Sequence, residues 1–232
     1  MKRSTLLLGT FAGIALAACQ NDMGGETAEA PAAAPMPAAA PMPAPAAPAA
    51  MPMDTNTYSL INEVTWVNLF AGHDLSSFTE VGGSSWSIVD DYVEATEGTE
   101  NGFLVTRGSY GDVQVQAEIW ASPEANSGIF MRCQDGANIA AATCYEVNIF
   151  DQREDQTYRT GGIVNFAEPM AQMDAADQWS TFDIVMEGDH LVVRMNDTLM
   201  VDSNDASFAR GPIAFQWGAG TVRFRNIKLR PL

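Results

Sequence analysis

Hydrophobic and polar residues alternate along much of the chain. Residues 113–120 read VQVQAEIW and residues 145–149 read YEVNI, while FDIVM and LVVRM flank the turn EGDH further on. A period of two residues is typical of strands that are buried on one face. A helical period of 3.6 residues is not sustained over three turns anywhere, so the pattern predicts a β protein.

Turn-forming clusters separate these strands at short intervals. The clusters VGGSS, TEGTENG, EGDH, MNDT and WGAG are rich in the residues that favour tight turns. Many short strands joined in this way predict an all-β sandwich or jelly roll of two antiparallel sheets. A Greek-key sandwich of the immunoglobulin type is the alternative, although it usually needs only ~100 residues.

The N-terminus has the features of an export signal. A basic MKR precedes the apolar segment STLLLGTFAGIALAA, which is too short to span a bilayer. The residues LAAC resemble the lipobox of bacterial lipoproteins, which implies that residues 1–18 are a signal peptide and that Cys19 is lipidated. Gln20 follows, so we expect a cell-envelope protein anchored in the outer membrane and facing the periplasm. An ordinary secretory signal with an unrelated cysteine is the alternative.

A tether follows the anchor. Eight of the twelve prolines fall between residues 31 and 52, in an alanine-rich background. Prolines at this density forbid a helix and favour extended polyproline II. We therefore divide the chain into the signal peptide, a disordered tether over residues 19–57 and a single domain over residues 58–232.

The net charge of the chain and the types of residue that it contains restrict the chemistry that it can perform. Without its signal peptide the chain carries 29 acidic and ten basic residues, a net charge of −19, which excludes nucleic acid and favours a neutral ligand. Outside the signal there are two histidines and one lysine, which argues against a catalytic triad, a Schiff base and a histidine-rich zinc site. We expect no cofactor and no metal site, with a divalent cation left open, and carboxylates and arginines as the reactive groups.

Two cysteines remain for the folded domain. Cys133 and Cys144 belong to an exported chain, and an oxidising compartment favours a disulfide bond between them. Two free buried thiols are the alternative.

The segments around these cysteines hold the main candidates. Glu146 and Asn148 are two residues apart on a strand, so they share one face and their neighbours take the buried face. Arg132 faces Tyr145 if the cysteines lie directly opposite, or lies beside Glu146 if a bulge intervenes. A carboxylate beside an arginine suits a substrate clamp, and a solvated strand with a surface ion pair is the alternative. The polar residues of this cluster are Asn126, Ser127, Arg132, Glu146, Asn148, Asp151 and Arg153.

Gln216 and Trp217 form a second candidate pair, before the turn WGAG. An aromatic face and an amide are a common combination in carbohydrate sites, because the ring packs on C–H groups while the amide binds hydroxyls. A tryptophan buried in the core is the alternative.

The order of motifs from Trp66 to Leu232 resembles the 3-keto-disaccharide hydrolase domain family. The resemblance is carried by WVNLFAGHDLSSF, WSIVDDYVEA, NSGIFMRC, CYEVNIFD, TGGIV, QWSTFDIVMEGDHLVVRMND and GPIAFQWGAGTVRFRNIKLRPL. It implies a concanavalin A-like jelly roll and cleavage of a glycoside whose sugar has been oxidised at C3. A C3 ketone acidifies the proton on C2, so a single general base can start an elimination that releases the group on C1.

The resemblance also implies roles for the candidates. Glu146 or Asp151 would be the base, and Arg132 would stabilise the enolate or the ketone. Trp217 would stack on a ring, and a sugar 3-oxidoreductase would act in the same pathway. The residues expected to bind substrate are Asn126, Ser127, Asn148, Arg153, Gln216 and Trp217.

Two other functions remain open. A non-catalytic carbohydrate-binding lipoprotein could use the same fold. A β-glucanase could also use it, but that chemistry needs two carboxylates on one strand, and Asn148 stands where the second would be.

Overall fold

The computed structural model describes residues 65–232, which form thirteen β-strands and one turn of 3-10 helix, η1 (Gln156–Tyr158). The strands are β1 (Val67–Phe70), β2 (Phe78–Ser84), β3 (Ser87–Val89), β4 (Tyr92–Ala95), β5 (Gly98–Thr106), β6 (Val113–Ala121), β7 (Ser127–Met131), β8 (Tyr145–Ile149), β9 (Trp179–Glu187), β10 (His190–Met195), β11 (Thr198–Asn204), β12 (Ala214–Trp217) and β13 (Val222–Pro231).

The strands of this described region make two sheets. An eight-stranded sheet has the order β11-β10-β9-β6-β13-β4-β3, with β1 also paired to β13, and a five-stranded sheet has the order β2-β5-β12-β7-β8. Neighbouring strands pair antiparallel in both sheets. The predicted all-β sandwich of two antiparallel sheets is therefore confirmed.

The core lies between the sheets and follows the alternation in the sequence. Along β6, buried residues alternate with partly exposed ones over all nine positions. Ile119 and Phe224, which pair across β6 and β13, are fully buried, as is Phe215 on β12 of the other sheet. Each such side chain contributes about 1.5–3 kcal/mol of burial energy, so the period-two pattern accounts for how the sheets face each other.

Strand β8 has a partner on both sides although it is last in its sheet. It pairs with β7 on one side. On the other, the amide of Asn148 donates to the carbonyl of Gly162 at 2.9 Å and the amide of Val164 donates to the carbonyl of Glu146 at 2.9 Å. The segment 162–164 thus covers an edge that would otherwise be free to pair with another chain.

The predicted disulfide bond between Cys133 and Cys144 is present, with 4.3 Å between the Cα atoms. It closes the loop of residues 134–143, which we call the disulfide loop. Both cysteines pack with Phe130 and Val105 on the five-stranded sheet, and Ile139 of the loop packs against the same cluster. The bond therefore fixes the loop against this sheet.

The predicted signal peptide, lipidated Cys19 and tether fall within residues 1–64 and lie outside the described residues. They remain predictions. Within residues 65–232, no helix has the length and apolar character that crossing a membrane requires.

Candidate active site

Strand β8 presents a polar face away from the core. Tyr145, Val147 and Ile149 belong to the hydrophobic core between the sheets. Glu146 and Asn148, which alternate with them, therefore lie on the opposite side of the five-stranded sheet, as the sequence pattern predicted. We call this side the outer face.

Cross-strand pairing puts Glu146 at one end of a row that crosses the five strands of this sheet. The row consists of Thr79, Val105, Ala214, Phe130 and Glu146. All members except Thr79 and Glu146 are apolar, so the carboxylate ends a hydrophobic row.

The next row on the outer face carries two amides. Asn148 pairs with Gly128 on β7. The register of β7 and β12, continued by one residue, puts Gln216 opposite Gly128 from the other side. Adjacent strands are about 4.8 Å apart, so the two amides flank a position that has no side chain.

The side chains of Glu146 and Phe130 pack closely over Gly128. A Cβ atom on Gly128 would lie 3.3 Å from Cε2 of Phe130 and 3.4 Å from Cγ of Glu146. Both side chains thus lean over the glycine, and any larger residue there would crowd them. We call this group of residues, a carboxylate, two amides and an aromatic edge around a glycine, the polar recess.

Glu146 is the group in this recess with a shifted pKa. Its side chain is mostly buried, with 9% of the residue exposed. Burial raises the pKa of Glu146 to about 7, while the charge of Arg153 lowers it. Among the described residues, no hydrogen-bond donor or ion-pair partner holds its carboxylate. A carboxylate with a pKa near neutrality and free lone pairs is suited to accept a proton.

Three buried polar atoms on this side of the sheet have no hydrogen-bond partner in the described part of the chain. They are Oδ1 of Asn148, Oε1 of Gln216 and Nε of Arg153. A buried polar atom without a partner costs about 1–3 kcal/mol. Two free acceptors and one free donor near a carboxylate match a ligand that carries hydroxyl groups and a carbonyl.

Arg153 lines an open cavity at the end of β8. The cavity has a volume of about 530 Å³ and is lined by Phe150, Arg153, Glu154 and Asp155. Phe150 follows Asn148 by two residues, so it continues the outer face. The cavity thus lies at the end of β8, and Arg153 is the candidate residue that lines it.

Asp151, the other predicted base, is held by hydrogen bonds within the protein. Its carboxylate accepts hydrogen bonds from the hydroxyl of Thr160 and from the amides of Ala175 and Ala176, the latter at 2.9 Å. Arg159 lies 3.9 Å away. Because these donors occupy its lone pairs, Asp151 fixes the loop after β8, and its expected role as a base is not supported.

Arg132 occupies neither of the two positions considered for it. Met131 pairs with Tyr145 and Phe130 pairs with Glu146. Arg132 then leaves the ladder with a positive φ of 51°. The strand pair thus ends before Arg132 can face β8.

The side chain of Arg132 is buried and fully engaged. It donates to the carbonyl of Gly111 at 3.0 Å, to those of Gly188 and Phe208 at 2.8 and 3.2 Å, and to Asp112 at 3.2 Å. Only 1% of the residue is exposed. Arg132 therefore ties three loops together, and the expectation that it stabilises an enolate is corrected.

Ser127 and Trp217 also lie away from the recess. The hydroxyl of Ser127 donates to the carbonyl of Gln216 at 2.7 Å and is fully buried. Trp217 belongs to the core cluster, and its Nε1 donates to the carbonyl of Gly220 at 2.8 Å. Neither side chain can bind a substrate on the outer face, so the core alternative holds for Trp217.

Asn126 stays beside the recess. It is half-buried, and its Nδ2 lies 3.1 Å from where a Cβ on Gly218 would be, while Oδ1 of Asn101 lies 3.3 Å from the same point. A second glycine thus lies in close contact with two amides. Of the predicted residues, Glu146, Asn126, Asn148, Arg153 and Gln216 are brought to this side of the sheet.

Sequence reasoning missed Gly128, Gly218 and Asn101. The glycine in NSG was visible next to two candidates, but its role depends on the side chains of β8 and β12 beside it. Asn101 reaches the site through pairing of β5 with β12, strands that are far apart in the chain.

In the part of the chain that is described, no group of three or more histidine, cysteine, aspartate or glutamate side chains is arranged to hold a metal ion. The expectation that the protein uses no cofactor remains a prediction.

Comparison with solved structures supports the fold. A candidate glycosyl hydrolase from Parabacteroides distasonis ATCC 8503 is 16% identical with a TM-score of 0.64, and the match covers 78% of this chain and 98% of that one. The carbohydrate-binding module CBM66 from Bacillus subtilis is 17% identical with a TM-score of 0.54, covering 66% and 95%. A Bacillus subtilis protein of unknown function with a galectin-like fold is 10% identical with a TM-score of 0.55, covering 72% and 95%.

At these identities the likeness concerns the fold, and it confirms the predicted jelly-roll sandwich.

Among curated proteins, none is significantly similar to this chain. The model of one protein family matches residues 65–230, nearly the whole described region. The chain therefore belongs to the family of 3-keto-alpha-glucoside-1,2-lyase-like domains.

Proposed function

We propose that the protein cleaves 3-keto-glycosides and that Glu146 is the base that removes the proton from C2. The observation that carries this proposal is a mostly buried carboxylate whose pKa is raised to about 7 by burial and whose lone pairs have no partner among the described residues. Membership of the lyase-like family and the fold shared with a candidate glycosyl hydrolase support it.

The reaction needs few special groups. The carboxylate of Glu146 takes the C2 proton, and the electron pair of the C2–H bond forms an enolate with the C3 ketone. Collapse of the enolate forms a C1–C2 double bond and breaks the bond from C1 to the leaving oxygen, which takes up a proton. Addition of water across this double bond restores the 3-keto sugar, so the net reaction is hydrolysis.

Arg153 is the residue best suited to stabilise the enolate. It carries a positive charge that acts on Glu146, and its Nε has no partner among the described residues. A guanidinium donor at the ketone oxygen would stabilise the charge that develops there. Arg153 thus takes the role that sequence reasoning assigned to Arg132.

The amides would hold the sugar hydroxyls. Oδ1 of Asn148 and Oε1 of Gln216 are free acceptors that flank Gly128. A hydroxyl-bearing ring above this glycine would satisfy both atoms and bring its edge towards Glu146. Asn126 would contact the ring from the next row.

Glu146→Gln tests the proposal directly. We expect aglycone release from a 3-keto-glucoside to fall at least about 1,000-fold, because an amide cannot accept the proton, while the sugar still binds. The matched control is Glu187→Gln, an exposed acid on β9 of the other sheet. A wild-type protein that binds the oxidised sugar but never releases aglycone would favour the non-catalytic carbohydrate-binding alternative.

The cellular location is a separate proposal, supported by the N-terminal sequence alone. Lipidation at Cys19 would hold the domain on the periplasmic side of the outer membrane, where a sugar 3-oxidoreductase could supply its substrate. Labelling with a radioactive fatty acid should mark the wild-type protein and not a Cys19→Ser variant. Equal labelling of both would exclude this anchor.

A further inference from the structure

The eight-stranded sheet has a polar cavity on its solvent side, which is the side of the sandwich opposite Glu146. Along β6, Gln116 and Glu118 alternate with residues of the core between the sheets, so their side chains point away from that core. The cavity beside them has a volume of about 230 Å³. We call it the β13 cavity, and its polar lining consists of Asn68, Gln116, Glu118, Thr181, Asn226 and Lys228.

Strand pairing brings these residues together from four strands. Asn68 on β1, Lys228 on β13 and Gln116 on β6 form one cross-strand row. Glu118 on β6 pairs with Thr181 on β9 in the next row. The polar side chains are therefore neighbours on one sheet surface, although most of them are distant in the chain.

Two irregularities in strand pairing coincide with the cavity. The register of β1 against β13 shifts between Asn68 and Phe70. The register of β13 against β6 shifts between Arg225 and Lys228, and Asn226 within this shift has a positive φ of 51°. Bulges redirect side chains and are common next to active sites. The β13 cavity thus lies where the backbones of two strands depart from regular pairing.

Three side chains of the cavity have no polar partner in the described part of the chain. The ammonium of Lys228 makes no ion-pair contact there, and the amide of Asn68 and the hydroxyl of Thr181 make no hydrogen bond. The Nζ atom of Lys228 lies 4.9 Å from the centre of the Trp66 ring. This cation–π contact restrains the ammonium, while its hydrogens stay available to a ligand.

The other polar residues present acceptors. Asn226 donates from Nδ2 to Glu118 at 2.7 Å, and Gln116 donates from Nε2 to Asp183 at 2.6 Å. The amide oxygens of Asn226 and Gln116 have no partner among the described residues. Burial raises the pKa of Glu118, but hydrogen bonds from Asn226 and Arg225 lower it below its ordinary value. Glu118 is therefore a carboxylate at neutral pH.

We infer that the β13 cavity is a second binding site, separate from the proposed catalytic one, and that it binds one ring of a neutral saccharide. A sugar hydroxyl both donates and accepts, so neighbouring hydroxyls can bind Lys228 and the acceptors beside it together. An anionic ligand would be attracted by Lys228 but repelled by Glu118, and so would gain no net affinity. An apolar ligand would take these polar groups out of water without replacing their hydrogen bonds.

The size of the cavity limits the ligand to one ring. Its volume of about 230 Å³ is below the ~300–1,000 Å³ of pockets for drug-sized ligands. Phe70, Ala71 and Ala117 add an apolar part to the lining, which can pack against the C–H groups of a sugar. The core separates a ring bound here from Glu146, so the site would hold the protein on a saccharide without taking part in its cleavage.

Titration with methyl β-glucoside, followed by NMR through the amide chemical shifts of the full-length protein, tests the inference. We expect saturable shifts at Asn68, Gln116 and Lys228. Methyl β-glucuronide, which carries a carboxylate, should bind there no more tightly than the glucoside. Shifts that are absent from these residues would overturn the inference, and so would tighter binding of the glucuronide, which would identify an anion site.

Two variants connect the binding to the cavity. Lys228→Met removes the ammonium but keeps an apolar stem beside Trp66, and it should weaken binding of the glucoside about tenfold. Asn68→Ala removes an exposed amide that makes no hydrogen bond in the described region, and it should weaken binding about threefold.

Arg194→Met is the matched control for Lys228→Met. Arg194 is an exposed cation on β10 of the same sheet and does not line the cavity, so the variant should bind the glucoside as wild type does. Wild-type affinity in both Lys228→Met and Asn68→Ala would overturn the inference. The outcome does not depend on whether Glu146 is the catalytic base, because neither sugar is oxidised at C3.

Discussion

Glu146 on β8 pairs with Phe130 on β7, and both side chains lean over Gly128. The carboxylate thus lies against an aromatic edge at the end of an apolar row, where water cannot surround it. This environment, and not a particular motif, accounts for its raised pKa. The consequences can be measured in activity and in stability.

The pH dependence of catalysis should report the titration of Glu146. Its pKa is raised to about 7, and the base must be ionised to accept a proton. We expect kcat/KM to rise with pH and to level off above an apparent pKa of about 7, measured as aglycone release between pH 5 and pH 9. A break near pH 4.5 would mean that an ordinary exposed carboxylate is the base.

Arg153→Gln should change the profile as well as the rate. The positive charge of Arg153 lowers the pKa of Glu146, so its removal should move the break in kcat/KM to higher pH. Loss of the enolate donor should reduce kcat by about 100-fold or more. The readout is kcat across the same pH range, and a variant with an unshifted break and full activity would show that Arg153 lies outside the site.

Glu146→Gln should stabilise the folded protein at alkaline pH. The folded pKa of about 7 exceeds the ordinary value of 4.5, so the folded state keeps a proton that the unfolded state has lost. Wild-type stability therefore falls as pH rises from about 4.5 to 7, by up to about 3 kcal/mol in total. Glutamine does not ionise, so the variant does not lose stability in this way.

Urea unfolding at pH 5 and pH 8 measures this difference. The advantage of Glu146→Gln should be small at pH 5 and near its full value at pH 8, while Glu187→Gln should follow wild type at both. A constant difference between pH 5 and pH 8 would contradict the raised pKa.

Gly128→Ala should reduce catalytic activity more than it reduces the stability of the fold. The added methyl would approach the carbonyl oxygen of Val147 to 3.2 Å and the side chains of Phe130 and Glu146 to 3.3 and 3.4 Å, so these neighbours must move by a fraction of an ångström. We expect kcat/KM to fall about tenfold or more, with a loss of about 1 kcal/mol in the free energy of unfolding. Gly111→Ala, with its nearest contact at 3.6 Å, is the control, and unchanged activity in Gly128→Ala would exclude a ligand above this glycine.

Arg132→Met should have the opposite effect, because Arg132 binds loop carbonyls and not the recess. The variant leaves the carbonyls of Gly111 and Gly188 without a donor, which should lower the free energy of unfolding by about 3 kcal/mol. The fraction that remains folded should have the kcat of wild type. A stable variant with strongly reduced kcat would restore the catalytic role expected from the sequence.

The sequence was a good guide to the fold and to the face on which Glu146 lies. Alternation identifies both properties because they depend on residues two apart in one strand. The partners of that strand were harder to predict, since β12 and β5 are brought beside β7 and β8 by long connections. The polar recess consists of such cross-strand neighbours, which explains why Gly128 and Asn101 were missed.

The two arginines illustrate the same limit. Arg132 precedes Glu146 by 14 residues and Arg153 follows it by seven, and nothing local in the sequence shows which of the two arginines lies beside the carboxylate. The positive φ of Arg132 ends β7 at Met131 and turns the arginine side chain towards the carbonyls of three loops. Backbone geometry of this kind has no sequence signature when the residue is neither glycine nor asparagine.

Strand β8, which carries Glu146, is hydrogen-bonded on both edges, to β7 and to the segment 162–164. Its amides should therefore exchange with deuterium only when the whole domain unfolds, in contrast to the end of an ordinary sheet. The carboxylate of Glu146 thus lies on one of the most rigid parts of the described chain, and a substrate must adapt to the position of this carboxylate.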